Sequence, residues 1–270
     1  MTYRLAVLGG GNMGAALVRG LLASRWVAPP DVVVVEVVAA RRDVLSAELG
    51  DVDVVGSLDG LLIDGALLAV KPADVPAVAS AAAAAGALRI LSIAAGVPTS
   101  VVQEAAGADV KVVRAMPNTP ALVGEGAAAI AAGPTAGEAD LVWAEEILRS
   151  VGSVVRVPES ALDAVTGLSG SGPAYLFLVA EALIDAGVLV GLTRAVSRAL
   201  VEQLFVGSAK LMAGSGKGPE ELRAEVTSPG GTTAAGLHAL ERMAVRSAFL
   251  DAVAAATARS RELGRTITPT

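Results

Sequence analysis

The chain has 270 residues, of which 53% are hydrophobic and only 3% aromatic, so it is long enough for one or two domains whose core is built from Ala, Val and Leu. Its formal net charge of −6 argues against a broad basic surface for nucleic acid. The sequence has no cysteine, which excludes disulfides, thiolate metal ligands and cysteine nucleophiles and is compatible with a cytoplasmic location.

The first twenty residues contain a glycine-rich motif. The apolar run Leu5–Leu8 predicts a buried strand, glycines follow at Gly9, Gly11 and Gly14, and helical spacing comes next. In a dinucleotide-binding motif the first glycine allows a tight turn, the second lets the backbone approach a pyrophosphate, and the third lets helix pack on strand. The phosphates would lie at the helix N-terminus. The alternative is a glycine-rich turn without a ligand, but the flanking strand and helix favour a cofactor.

Further β-branched and apolar runs predict strands that alternate with helical stretches. The predicted strands are residues 32–35, 52–55, 66–70, 90–96, 110–115, 127–131 and 151–157, with helices at 77–85 and 138–148. This alternation predicts an α/β fold with a parallel, doubly wound sheet. Its ligand would lie across the carboxyl ends of the strands, where Lys71, Ala95 and Asn118 fall.

Glu36 directly follows the second of the long strands, near the usual position of the acid that binds an adenosine ribose. Arg41 and Arg42 come shortly after and could instead meet a 2′-phosphate. A third interpretation makes all three solvated charges at the start of a helix.

After Pro158 helical periodicity replaces the strand signal, which predicts a domain of residues 1–158 followed by one of residues 159–270. The apolar stretches 174–184 and 195–212 are rich enough in Leu, Val and Phe to predict a subunit interface as well as a core. Glycine-rich breaks are predicted at 167–175 and 227–233. Either could be a linker, but the second, before a helix, suits a substrate carboxylate bound by backbone N–H groups.

Metal and membrane sites are not expected. The one histidine, His238, has none of the partners that a metal site or a catalytic triad needs, so any chemistry is expected to come from a cofactor. The longest uncharged run, residues 164–180, contains several glycines and a proline and is not expected to span a membrane. Because the N-terminus leads directly into a predicted strand, no signal peptide is expected.

Together these motifs resemble the Δ1-pyrroline-5-carboxylate reductase family of proline biosynthesis. The matching stretches are residues 9–14, 69–72, 92–97, 114–120, 168–175 and 228–233, in order over nearly the whole chain. The resemblance implies a Rossmann domain, then an all-helical domain through which two subunits interlock, often within larger assemblies. It also implies hydride transfer from NADPH or NADH to the C=N bond of a cyclic imine, which needs orientation, a carboxylate anchor and exclusion of water.

The motif, the strand ends and the resemblance together predict two groups of site residues. The predicted cofactor residues are Gly9, Gly10, Gly11, Asn12, Met13, Gly14, Glu36, Arg41, Ala69, Val70, Lys71, Pro72, Ile93, Ala94, Ala95 and Asn118. The predicted substrate residues are Ser228, Pro229, Gly230, Gly231, Thr232 and Thr233, and Thr233 is the implied hydrogen-bond donor or acceptor at the ring nitrogen.

The resemblance also bears on two further acidic residues and on the choice of cofactor. Glu159 and Glu225 align with positions near the cofactor or substrate in some relatives. Many relatives carry a small polar residue where this chain has Glu36, so both cofactors are expected to work, with NADH used better than in those relatives.

Two other functions fit parts of the sequence. A β-hydroxyacid dehydrogenase would have a catalytic lysine four residues after the last glycine of the first glycine-rich segment, but that position is Leu176. Lys71 is the other lysine candidate. A dinucleotide-binding regulator without turnover is the alternative outside enzymes.

Overall fold

The computed structural model describes residues 2–265. The strands are β1 (Thr2–Tyr3), β2 (Leu5–Leu8), β3 (Val32–Val35), β4 (Asp53–Val55), β5 (Leu62–Ile63), β6 (Gly65–Leu68), β7 (Arg89–Ser92), β8 (Lys111–Met116), β9 (Gly126–Ala132) and β10 (Gly152–Arg156). The helices are α1 (Asn12–Ala23), α2 (Ala39–Leu49), α3 (Val75–Ala84), α4 (Thr99–Ala106), α5 (Glu138–Arg149), α6 (Leu162–Val165), α7 (Gly172–Leu189), α8 (Arg194–Gly214), α9 (Pro219–Glu225), α10 (Thr232–Arg242) and α11 (Val245–Arg265).

Eight strands form one sheet in the order β10-β9-β8-β7-β6-β2-β3-β4. Successive side chains of a strand point to opposite faces, and both faces are covered here. Leu5 and Val7 pack into one apolar cluster with α1 and α5, whereas Ala6 and Leu8 pack into another with α3 and α4. The predicted doubly wound α/β sheet with a helical C-terminal region is therefore confirmed.

One strand pair departs from the predicted parallel direction: β9 runs antiparallel to β8. The chain between them is short and holds only the 3₁₀ turn Thr119–Val123. A parallel return needs a crossover of about a dozen residues or more, so the chain folds straight back. The next connection contains α5, and β10 is parallel to β9 again.

A second, two-stranded sheet pairs β1 with β5 and has no counterpart among the predicted strands. Tyr3 of β1 donates its hydroxyl to Asp53 at 2.6 Å. That hydrogen bond, with burial and the nearby carboxylate charge, raises the pKa of Tyr3.

The two tryptophans both lie against the large sheet and its helices. Trp143 of α5 is only 9% exposed. A Cβ on Gly65 would lie 2.8 Å from its ring, so the two positions fit only with glycine in the strand. Trp26 donates its indole N–H to Glu146 at 2.9 Å, and the Arg4 guanidinium lies 4.1 Å from the centre of its ring.

The described chain divides into two compact units, residues 2–171 with 254–265, and residues 172–253. The last part of α11 therefore belongs with the first unit. Strands give way to helices after Arg156, close to the predicted division at residue 158, and residues 159–171 pack with the first unit. The division into a cofactor domain that ends at residue 158 and a substrate domain that begins at residue 159 stays a prediction.

The first glycine-rich segment does not interrupt the helical structure as predicted. Thr166–Gly170 forms a π-helical turn, which lets α6 and α7 continue as one helical run, Glu159–Leu189. A π turn accommodates an extra residue without ending a helix. By length and composition alone, this run is apolar enough to cross a membrane.

The helical unit, residues 172–253, leaves large apolar side chains uncovered. Within its described residues only Ser197 and Val201 are buried. By contrast, Phe177 of α7 is 66% exposed and Leu200 of α8 is 59% exposed. Many large apolar side chains exposed on one pair of helices are typical of an interaction site.

Candidate functional site

The glycine loop joins β2 to α1, and two of its three motif glycines, Gly9 and Gly14, have a steric reason to be glycine within the described chain. Gly9 has φ +108°, and a Cβ there would run into the carbonyl of Ala69. A Cβ on Gly14 would run into the carbonyl of Gly9, so helix and strand could not pack this closely. A Cβ on Gly11 would meet no atom of the described chain within 4 Å. Gly11 therefore keeps backbone accessible to a ligand.

The N-terminus of α1 is available for an anion. Gly11 is its N-cap, and no described side chain caps the first turn. Helix N-termini carry free N–H groups and the positive end of the helix dipole, which suit a pyrophosphate. The open space beside Gly11 and these N–H groups suit a dinucleotide, and the contributions of Asn12 and Met13 stay a prediction.

Glu36 is held inside the same loop system. Its carboxylate accepts the backbone N–H of Gly10 at 3.0 Å and that of Val38 at 2.9 Å. The Arg41 side chain donates its Nε–H to the Gly10 carbonyl at 2.8 Å. Arg42 donates to the Glu36 carbonyl at 2.9 Å. Glu36 and Arg41 thus both bind Gly10, while Arg42 binds the backbone of Glu36 and Val37.

A cavity of about 940 Å³ opens beside this loop, large enough for a substantial part of a dinucleotide. Its lining includes six of the predicted cofactor residues, namely Gly9, Gly11, Glu36, Ala69, Val70 and Lys71. Val37 and Val38 line it too and are 79% and 55% exposed, which the sequence reasoning did not single out. The feature of the sequence that could have predicted them is their position directly after Glu36, because an adenine ring bound beside that acid would need an apolar surface.

The segment 93–98 follows β7, one strand further along the sheet. Ile93 donates its backbone N–H to Leu68 of β6 at 3.1 Å, so this segment starts beside the chain that continues into Ala69. Ala94 is buried, whereas Ala95 is exposed. The segment ends where α4 begins at Thr99.

Asn118, a predicted cofactor residue, has both ends of its side-chain amide engaged by backbone. Nδ2 donates to the Ser169 carbonyl at 3.2 Å, and Oδ1 accepts the Ala127 N–H at 2.8 Å. Asn118 therefore braces the loop between β8 and β9, and cofactor contact by its amide stays a prediction. The structure brings Glu159 to Thr99 and Arg114, contacts that no sequence spacing indicated.

The predicted substrate loop lies in the helical unit and runs into α10. Gly230 has φ +70°, a conformation that favours glycine, and Gly231 donates its N–H to the Ser228 carbonyl at 3.0 Å. Gly231 is the N-cap of α10, and no described side chain caps that helix. The amides of Thr232 and Thr233 then stand at an uncapped helix N-terminus, which fits the predicted carboxylate anchor.

Other candidate residues have ordinary surroundings. Glu225, at the end of α9, forms an ion pair with Lys217. His238 is exposed on α10. Over residues 2–265, no group of three or more His, Asp or Glu side chains could hold a metal ion.

The comparisons with known proteins cover both regions of the chain. A family model described as pyrroline-5-carboxylate reductase dimerisation matches residues 159–263, and one described as coenzyme F420-dependent NADP oxidoreductase matches residues 4–96. A pyrroline-5-carboxylate reductase of Synechocystis is 44% identical over 98% of this chain and 100% of its own length. The chain belongs to the pyrroline-5-carboxylate reductase family.

Further members of the pyrroline-5-carboxylate reductase family agree in sequence and in structure. The Methanosarcina acetivorans enzyme is 42% identical over 97% of this chain and 98% of its own. The Coxiella burnetii structure superposes with a TM-score of 0.88 at 34% identity, covering 97% of this chain and 99% of that one. The Plasmodium falciparum structure, which has NADP bound, gives 0.83 at 31% identity, with coverages of 97% and 98%.

Proposed function

We propose that this chain reduces Δ1-pyrroline-5-carboxylate to L-proline, the last step of proline biosynthesis, with NADPH or NADH as the hydride donor. The observation that carries the proposal is the match, at 44% identity over essentially the full length of both chains, to a pyrroline-5-carboxylate reductase. The glycine loop and the uncapped α10 N-terminus supply the two anion sites that such an enzyme needs, one for a pyrophosphate and one for a carboxylate.

The cofactor half of the site is assigned to the first unit. The free N–H groups of Asn12 and Met13 hold the pyrophosphate at the start of α1. Glu36 and Arg41 meet the adenosine ribose, and the segment containing Ile93, Ala94 and Ala95 lines the nicotinamide end, together with the chain that follows β6. The reduced nicotinamide supplies the hydride.

The substrate half of the site is assigned to the loop before α10. Gly230 to Thr233 orient the substrate carboxylate through backbone amides, and the Thr233 hydroxyl hydrogen-bonds the ring nitrogen. A protonated imine is already a good electrophile, so positioning and exclusion of water supply the catalysis and no strong side-chain acid is required. This explains how a reductase can work with few polar side chains around its substrate.

We also infer that the helical region forms a dimer or a larger dimer-based assembly in the cytoplasm. The family model that covers this region describes dimerisation. A second copy would cover the apolar side chains of α7 and α8, including the long run Glu159–Leu189, in place of lipid. The absence of cysteine supports a reducing compartment. Partners other than the substrate, the cofactor and a second copy, such as nucleic acid or membrane, are not proposed.

The activity is tested by following the absorbance of reduced nicotinamide after adding pyrroline-5-carboxylate, with NADPH and NADH in parallel. The reverse reaction, with proline and oxidised cofactor at high pH, checks the same chemistry. A matched sample without substrate controls for background oxidation. Oxidation of cofactor in step with proline formation is expected. A flat trace despite measurable cofactor binding would instead favour the non-catalytic regulator.

A further inference from the structure

Glu159 makes an unusually complete set of contacts for a side chain outside the cofactor cavity. Its Oε1 accepts the backbone N–H of Thr99 at 2.7 Å and a guanidinium N–H of Arg114 at 3.2 Å. Its Oε2 accepts the Thr99 hydroxyl at 2.7 Å. Both partners are buried, with Thr99 2% and Arg114 7% exposed. A carboxylate with a donor on each oxygen, and a charged donor as well on one of them, is held in one orientation.

Thr99 is the first residue of α4, and that helix has no cap of its own. Its N-cap is Pro98, which offers no side-chain acceptor. The first N–H groups of a helix need acceptors from elsewhere, and a negative charge there is stabilised by the helix dipole. Glu159, sixty residues further along the chain, therefore acts as the missing cap.

The start of α4 is also the end of the segment 93–98. Hydrogen bonding of Ile93 to Leu68 holds the first end of that segment against the sheet. Val97, near the second end, is fully buried, and Gly96 between them has φ +76°. This short segment is restrained at its two ends and at Gly96, against which the end of α11 packs: a Cβ on Gly264 would lie 2.9 Å from the Gly96 carbonyl. Glu159 holds the second end.

Arg114 makes the arrangement sensitive to loss of Glu159. It lies on β8, in register with Ser92 at the end of β7. The pair is only half buried, with the Arg114 side chain 9% and the Glu159 side chain 32% exposed. Removing the carboxylate would leave the buried Arg114 guanidinium without its ion-pair partner, which is unfavourable for a buried charge. The side chain would be driven to seek water or another acceptor next to the same segment.

We propose that Glu159 is a positioning residue for the nicotinamide end of the cofactor. It acts through Thr99 and Arg114 on the segment that contains Ile93, Ala94 and Ala95, and it touches neither cofactor nor substrate. This inference rests on the proposed function, because it takes that segment to line the nicotinamide. It predicts that loss of Glu159 weakens binding of the nicotinamide half of the dinucleotide and leaves binding of the adenosine half unchanged.

Comparing NADH with ADP-ribose tests this directly, because ADP-ribose has the same adenosine diphosphate part but no nicotinamide. For Glu159→Ala we expect NADH affinity to fall about tenfold while ADP-ribose affinity stays within about twofold. Activity with pyrroline-5-carboxylate should fall as well, and kcat should change by a larger factor than the KM for pyrroline-5-carboxylate. Glu159→Gln keeps one acceptor for the Thr99 N–H and should recover part of the NADH affinity.

Two further variants make the result decisive. Thr99→Val removes only the hydroxyl contact, so it should weaken NADH binding selectively and less severely, and it serves if Glu159→Ala does not fold. Glu138→Ala is the matched control, since Glu138 also begins a helix and pairs with an arginine, Arg156, away from the cavity. It should change neither affinity.

A purely structural role for Glu159 predicts a different pattern. Equal losses of NADH and ADP-ribose affinity, or a lower Tm with both affinities unchanged, would overturn the proposal. Failure of the proposed function would be recognised separately, because the wild-type chain would then bind NADH without oxidising it in the presence of pyrroline-5-carboxylate. The comparison of NADH and ADP-ribose affinities can be interpreted whether or not the chain oxidises NADH.

Discussion

Replacing Glu36 should change which cofactor the enzyme prefers. Its carboxylate lines the cavity and is held by two backbone N–H groups, at 3.0 Å from Gly10 and 2.9 Å from Val38, so it cannot easily swing away. A 2′-phosphate entering beside it would meet a like charge. Two such charges about 4 Å apart repel by about 1 kcal/mol in water and about 4 kcal/mol at an effective dielectric constant near 20.

Glu36→Gln removes that charge while keeping the shape of the side chain. The energies above correspond to a gain for NADPH over NADH of between roughly fivefold and several hundredfold in kcat/KM. Glu36→Ser should shift the ratio in the same direction. It also removes both acceptors from the Gly10 and Val38 amides, so a lower Tm is expected for Ser than for Gln.

The assay measures kcat/KM for NADPH and NADH at saturating pyrroline-5-carboxylate in the parent and both variants. Arg41→Ala is the complementary variant, because Arg41 reaches the same Gly10 from the other side at 2.8 Å. If the parent prefers NADPH by orders of magnitude and neither Glu36 variant moves the ratio, the reasoning is refuted. Arg41 would then be expected to select the cofactor, and its loss would penalise NADPH alone.

Three other predictions address the substrate loop, the assembly and the pH dependence of stability. Thr233→Ala should lower kcat/KM by roughly ten- to a hundredfold with cofactor affinity unchanged, and steady-state kinetics showing no loss in a folded variant would place Thr233 away from the ring nitrogen. Light scattering should find a dimer or larger assembly at micromolar concentration, and an active, stable monomer would contradict the interface assigned to α7 and α8. The hydrogen bond from Arg156 lowers the pKa of Glu145, so the stability that this carboxylate contributes is present above its ordinary pKa and is lost as pH falls through the lowered one. Thermal unfolding of Glu145→Gln should therefore show a shallower decline of Tm between about pH 5 and pH 3 than the parent, and parallel curves would show that the pair does not matter.

The main sheet was predictable because its strands are short apolar runs with helices between them. Leu5–Leu8 and Val32–Val35 have the bounds that the sequence indicated, while the strand predicted over 90–96 ends at Ser92. After Ser92 the chain leaves the hydrogen-bonded strand and turns at Gly96. Small apolar residues occur in strands and in turns alike, so the pattern does not show where the strand ends. The reversal between β8 and β9 depends on the length of a loop, which no hydrophobic pattern records.

The candidate site also has parts that the sequence predicts and parts that it does not. The glycine motif was predictable from its fixed spacing: backbone geometry requires glycine at Gly9 and Gly14, whereas the space beside Gly11 is open. The contact of Glu159 with Thr99 could not be predicted, because only the packing of the folded unit brings the two residues together. The glycines of residues 167–175 predict a break because glycine disfavours α-helix, whereas the π turn at Thr166–Gly170 accommodates them and keeps the helical run continuous.

The placement of Trp26 and Trp143 gives the molecule a built-in spectroscopic division. Both fluorophores belong to the unit that contains the large sheet, and residues 172–253 contain no tryptophan at all. Indole emission therefore follows the melting of the α/β unit alone, while far-ultraviolet circular dichroism is dominated by helices, including those of residues 172–253. Coincident melting curves from the two signals would mean that the units unfold as one cooperative system. Separated curves would give the order in which they come apart, without any added label.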